Sequence, residues 1–63
     1  EPLSERETEV LKLLASGRKG PQIADELFIS YSTVRSHLKS IYRKLDVHNR
    51  QELLEKTHLL ELI

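Results

Sequence analysis

The 63-residue sequence contains no cysteine, no methionine and no tryptophan. Without cysteine there is no disulfide staple and no thiolate zinc site. A translated chain opens with methionine, so the sequence is expected to be a piece of a longer protein. Only 2 glycines are present, Gly17 and Gly20, which excludes a Gly-rich phosphate loop. Aromatic residues make up 5% of the chain. The β-branched residues do not alternate with polar ones over a strand length, which argues against a sheet. Uninterrupted apolar runs stop at three residues, whereas a membrane crossing needs about 20.

What is present fits one small, helix-rich, soluble domain: hydrophobic residues at 38% and charged ones at 32%. Domains of this size are marginally stable, because their surface is large relative to their volume. Ten basic residues balance ten acidic ones, but the signs are segregated. Residues 1–16 hold Glu1, Glu5, Glu7 and Glu9 against Arg6 and Lys12, a net −2. Residues 30–50 hold Arg35, Lys39, Arg43, Lys44 and Arg50 against Asp46, a net +4. Residues 51–63 return to −2. One stretch is therefore prepared for an anionic partner.

The apolar period is helical throughout. A first helix is expected over about 5–16, capped by Ser4 with Glu7 completing a capping box and Gly17 ending it. Val10, Leu11 and Leu14 form its buried stripe. A short second helix is expected over about 21–28, with Pro21 at its first position and Gly20 as a weak cap. Ile23, Ala24 and Leu27 share one of its faces. A third helix should follow Ser30 and reach about Leu45. In it Val34, Leu38, Ile41 and Leu45 make a buried stripe, while Arg35, Lys39 and Arg43 form a basic stripe on the outer face. A fourth helix should start after Asn49, with Glu52 in a capping position, and reach about Leu60. Leu53, Thr57 and Leu60 share its inner face. Leu59, Leu62 and Ile63 add more apolar surface than one small core absorbs.

The second and third helices are joined by about three residues, Ile29-Ser30-Tyr31. Two short helices joined this way, the second one basic, define a candidate helix-turn-helix. Its usual turn glycine is absent, with Phe28 in that region. In such a motif the second helix enters the major groove with its first turns at the base edges. Arg35 and Lys39 are placed to reach bases, and arginine can pair with guanine through two hydrogen bonds. Ser36 is short enough to sit against the bases. Ser32 and Thr33, in the first turn, suit phosphate through hydroxyls and free backbone N–H groups. Arg43, Lys44 and Arg50 lie further along and are assigned to phosphates.

A more specific pattern runs through Leu3-Ser4-Glu5-Arg6-Glu7, Val10-Leu11, Ile23-Ala24, Leu27-Phe28-Ile29-Ser30, Thr33-Val34-Arg35, His37, and Ile41-Tyr42-Arg43-Lys44-Leu45-Asp46-Val47. This run resembles the LuxR-type DNA-binding domain of FixJ-, NarL- and GerE-like regulators, collinearly over about residues 3–58. The resemblance implies an all-α, four-helix bundle containing a helix-turn-helix. The whole of 1–63 would then be one domain, cut from a longer bacterial regulator. It implies double-stranded DNA as partner, with the third helix (about 31–45) in the major groove and Arg35, Ser36 and Lys39 at the base-reading positions. It further implies a homodimer on DNA through the fourth helix. Leu54 and His58, off that helix's buried face, then stand at the dimer contact. A regulatory or sensor domain of the parent chain, RNA polymerase as a partner, and a cytoplasmic location complete the implication. The family usually has lysine where Arg35 stands, a change able to alter base preference. It often has glycine where Asp46 stands, at a helix end suited to positive φ. The segment from His37 to Leu45, with the late Leu59-Leu60, is also similar to the C-terminal domains of MalT-like regulators, which are large ATP-binding activators.

Other residues carry plainer readings. Glu7 either serves only as a cap or pairs with Lys44 or Arg50. His37 lies between the buried stripe and the surface. His48 and His58 share no ligand spacing with it, so neither a metal nor another cofactor is expected. Tyr31 and Tyr42 are read as packing residues. No serine lies in a nucleophile elbow, and no catalytic set is present. Two alternatives stand beside the DNA-binding reading. One is a sigma-factor region-four module, against which the turn and fourth capped helix after Tyr42 argue. The other is a protein-interaction module, in which the fourth helix and the tail to Ile63 dock a second copy or a regulatory domain.

Overall fold

The computed structural model describes residues 2–59. Four helices follow in order: α1 (Glu5–Ala15), α2 (Gly20–Leu27), α3 (Tyr31–Leu45) and α4 (Arg50–Leu59). No strand occurs among the described residues.

Helices α1, α3 and α4 begin where side chains satisfy orphan N–H groups of the first turn. Ser4 Oγ accepts from Glu7 N at 3.2 Å, and Glu7 Oε1 accepts from Ser4 N at 2.8 Å. That is the reciprocal capping box the sequence calls for. Ser30 Oγ accepts from Thr33 N at 3.1 Å and starts α3. Asn49 Oδ1 accepts from Glu52 N at 2.9 Å, while Glu52 Oε1 reaches past the cap to His48 N at 3.0 Å. The start of α2 differs from expectation. Lys19, not Gly20, is its cap residue, and Gln22 Oε1 accepts from Lys19 N at 2.9 Å. The helix therefore begins one residue early, with Gly20 first and Pro21 second.

Three helices end in the same way. At Gly17, Phe28 and Asp46 the backbone turns left-handed, with φ of 102°, 56° and 56°. The next N–H then bonds back to a carbonyl five residues earlier: Arg18 N to Leu13 O, Ile29 N to Ala24 O, and Val47 N to Tyr42 O. This is the Schellman motif three times over. Only one of the three positions is glycine. The turn of the helix-turn-helix is thus Phe28-Ile29-Ser30, one residue earlier than expected. Phe28 leaves the helix for the left-handed position, and Tyr31 opens α3.

The core draws on all four helices. Val10, Leu11 and Leu14 of α1 meet Ile23 and Ala24 of α2 and Val34, Ile41 and Leu45 of α3. Val47, in the connection to α4, and Leu53 close it. Leu38, expected in the buried stripe, is only partly buried and packs at the core's edge. Among the described residues of α4, Leu53 and Thr57 are the ones buried in the core. The buried Thr57 hydroxyl bonds Leu53 O at 2.7 Å, so its burial leaves no polar atom unpaired. Lys56 Nζ bonds Leu45 O, placing a cation on the C-terminal carbonyls of α3. The expected inner-face residue Leu60, and Leu62 and Ile63, lie outside the described residues. No helix of the described residues is long and apolar enough to cross a membrane.

Candidate nucleic-acid interface

Val34, Ile41 and Leu45 of α3 face the core. That orientation fixes what faces out. Arg35, Lys39 and Arg43, at four-residue spacing, are all exposed. They rise about 12 Å along the helix axis, at 1.5 Å per residue. Between them, Ser32 and Ser36 line one shallow groove, and Ser36 and Ser40 line the next. Short side chains thus leave room between long cationic ones.

The electrostatics of this strip are one-sided. From Ser30 to Leu45 there is no aspartate or glutamate. The ion pairs among the described residues are Arg18–Glu26, Lys44–Glu7 and His48–Glu52. None uses Arg35, Lys39 or Arg43. Three cations therefore stand on one helix face without counter-ions among the described residues. An extended polyanion is the ligand such a face attracts.

At the start of α3, Ser30 Oγ lies 3.1 Å from Ser32 Oγ and 2.8 Å from Thr33 Oγ1. The exposed Ser32 and Thr33 hydroxyls are thus held beside the helix N-terminus, where the dipole favours anions. The sequence grouped Lys44 with the phosphate contacts, but its ammonium does not join the strip. It turns inward and bonds Glu7 Oε1 at 2.7 Å, with both side chains largely buried. Glu7 therefore serves as cap and as ion-pair partner at once. Its pKa is lowered from 4.5 to about 2, chiefly by the Lys44 hydrogen bond, then by the Ser4 N–H and the Ser40 hydroxyl. The partner is Lys44 and not Arg50. Arg50 Nη2 instead makes a long 3.4 Å bond to Leu14 O, at the end of α1. Lys44 and Arg50 thus tie α1 to the elements that follow it.

On another side of the molecule, Leu54 and His58 line a shallow depression with Ala15 and Thr57. Leu54 is half-buried and His58 exposed. His37 is half-buried on α3, and Tyr42 likewise. No group of three His, Asp or Glu residues among the described ones is arranged to hold a metal. One arrangement was not anticipated. Arg35 lies over the Tyr31 ring, 6.0 Å from its centroid. The four-residue spacing on a helix was its only signal in the sequence.

A compact four-helix bundle whose third helix, after a three-residue turn, presents an exposed basic strip defines a DNA-binding helix-turn-helix domain. Comparison with known proteins gives the family. The family described as "Bacterial regulatory proteins, luxR family" matches residues 1–57, and the chain belongs to it. Members of this family bind DNA in transcriptional regulators and are not enzymes. The HTH-type transcriptional regulator MalT of Yersinia pestis (strain Pestoides F) is 41% identical over 59 residues, covering 94% of this chain. MalT of Serratia proteamaculans (strain 568) is similar to the same extent. The chain spans 6% of the length of these relatives. Among solved structures, the response regulator ChrA of a heme-sensing two-component system superposes with a TM-score of 0.93 at 43% identity. That match covers 100% of this chain and 31% of ChrA.

Proposed function

We propose that this chain is the DNA-reading output domain of a bacterial transcription regulator, with α3 lying in the major groove. The observation that carries this reading is the strip of Arg35, Lys39 and Arg43, exposed and without counter-ions among the described residues. Arg35, Ser36 and Lys39, nearest the N-terminal half of α3, read base edges. Ser32, Thr33, Arg43 and Arg50 hold phosphates and set the register of the helix on the duplex. Lys44, bonded to Glu7, holds the frame that aims the strip.

The domain works as a homodimer on DNA, through the outer face of α4 around Leu54 and His58. Two copies then place their third helices about one DNA turn, roughly 34 Å, apart. Both copies occupy half-sites of a repeated operator. The chain spans a small part of its MalT relatives, which fits an output module joined to a sensor or regulatory domain. RNA polymerase is the partner that turns binding into transcription, in the bacterial cytoplasm.

The test is fluorescence anisotropy of the 63-residue chain on a selected duplex and on random duplex, across several salt concentrations. Binding should weaken steeply with salt. Arg35→Ala and Lys39→Ala should each weaken the selected site by more than the random one. Equal losses on both would remove the base-reading role and leave phosphate contact alone. For the dimer, sedimentation on a two-half-site duplex should show two copies bound, and Leu54→Asp should reduce this to one. Two copies bound by Leu54→Asp would rule out the α4 contact.

A further inference from the structure

The geometry points to Tyr31 as a positioning residue that sets the specificity of Arg35. This rests on the reading of Arg35 as a base reader and adds to it the group that aims the guanidinium. Tyr31 is the first residue of α3 and is about half exposed. Its ring is seated on the first residue of α2. A Cβ built on Gly20 would lie 2.5 Å from Tyr31 Cε1 and 3.3 Å from Cδ1. Only a residue without a side chain leaves the ring that place. The ring thus bridges the two helices of the motif.

Arg35 stands one turn further along α3, with its guanidinium carbon 6.0 Å from the ring centroid. A cation over an aromatic face is held by the ring's quadrupole. Arginine suits this better than lysine, because its planar guanidinium can lie along a ring and keep its edge N–H groups free. Those edge donors are the ones that pair with guanine O6 and N7. An exposed arginine otherwise samples many rotamers and loses that freedom when it grips a base. A ring fixed by Gly20 removes part of that freedom in advance. The chain of dependence runs from Gly20 to Tyr31 to Arg35 to the base.

The experiment starts from a duplex selected by the unaltered chain. Its base pairs are then substituted one at a time, and affinities are read by anisotropy at fixed salt. Arg35→Ala identifies the base pair that Arg35 senses, as the pair where discrimination collapses. Tyr31→Leu keeps an apolar side chain against Gly20 but removes the aromatic face. It should cut discrimination at that same pair by about 2- to 5-fold, the range expected of an exposed cation–aromatic contact. Its affinity for random duplex should not change. Tyr31→Phe, which keeps the face and drops the hydroxyl, should retain full discrimination. Gly20→Ala, which crowds the ring, should mimic Tyr31→Leu. In the DNA-free chain, the ring-current shift of the Arg35 side-chain protons should be present with Tyr31 or Phe and absent with Leu. Intact discrimination in Tyr31→Leu overturns the inference. So does an equal loss in Tyr31→Phe, or a loss spread over every base pair and random DNA. If Arg35→Ala itself changes no single base pair, the base-reading role fails and this inference with it. If only Arg35→Ala has the effect, the role of Tyr31 fails alone.

Discussion

Replacing Glu7 by glutamine changes one charge and almost nothing else. The amide oxygen can still accept from Ser4 N, so the cap on α1 survives. What disappears is the anion 2.7 Å from Lys44 Nζ. The ammonium is then left largely buried without a counter-ion, which is the costly way to break such a pair. The magnitude follows from the carboxyl's titration. Its pKa falls from 4.5 to about 2 on folding, and each unit corresponds to about 1.4 kcal/mol, so the charged form contributes about 3 kcal/mol. A small domain has roughly 5 kcal/mol in total. At about 4–8 °C per kcal/mol, Glu7→Gln should lower Tm by about 12–24 °C at pH 7. The sign with pH is fixed as well. A depressed carboxyl stabilises above its unfolded pKa and loses that contribution as pH falls through its folded one. The gap between the two proteins should therefore be full above pH 4.5 and narrow as pH falls toward about 2. Far-UV circular dichroism melts across that range measure it. A gap of only a degree or two at pH 7 would refute the reasoning, as would a large gap that does not narrow at low pH. Pairing Glu7→Gln with Lys44→Met should recover most of the loss, because no buried charge then remains.

Phe28→Gly should raise Tm by several degrees. Phe28 is 94% exposed and so gives up little packing, while its left-handed backbone costs roughly 1 kcal/mol relative to glycine; an unchanged or lower Tm would show that the ring does stabilising work. Ser30→Ala should destabilise the chain by about 1 kcal/mol, read in urea melts, because Thr33 N loses its cap acceptor. Arg43→Ala should weaken selected and random duplex alike and make the slope of log affinity against log salt shallower by about 0.9, the signature of one lost phosphate contact; a base-specific effect would move Arg43 into the reading set.

The helix boundaries were legible because the caps are local chemistry. Ser4, Ser30 and Asn49 announce their helices by residue type, and Gly17 announces a stop. The start of α2 was less visible, because Lys19 caps through its backbone N–H while the acceptor sits on Gln22. The turn slipped by one residue because phenylalanine is a poor advertisement for a left-handed position. At Asp46 the family's frequent glycine gave the hint, and the positive φ is there. The basic strip was readable from period alone, since Val34, Ile41 and Leu45 dictate which way Arg35, Lys39 and Arg43 point. The fate of Lys44 was not. One residue after Arg43, it turns from the strip toward a carboxylate 37 positions earlier. Spacing along a helix gives direction, but only the packed fold shows which partner waits there. The same holds for Gly20, whose missing side chain makes sense only with the Tyr31 ring beside it.

The light attachment of α4 has a consequence for how the domain opens. It gives the core Leu53 and Thr57, against Val10, Leu11, Leu14 and Glu7 from α1. Local unfolding is easiest where few buried contacts must break. The amides of α4 should therefore exchange with deuterium earlier than those of α1 and α3, while the basic strip of α3 stays on the slow-exchanging frame. Anything that grips the outer face of α4 binds its folded form alone and shifts that local equilibrium by mass action. Protection of the α4 amides then becomes a direct readout of occupancy on that face, separable from DNA binding in the same sample.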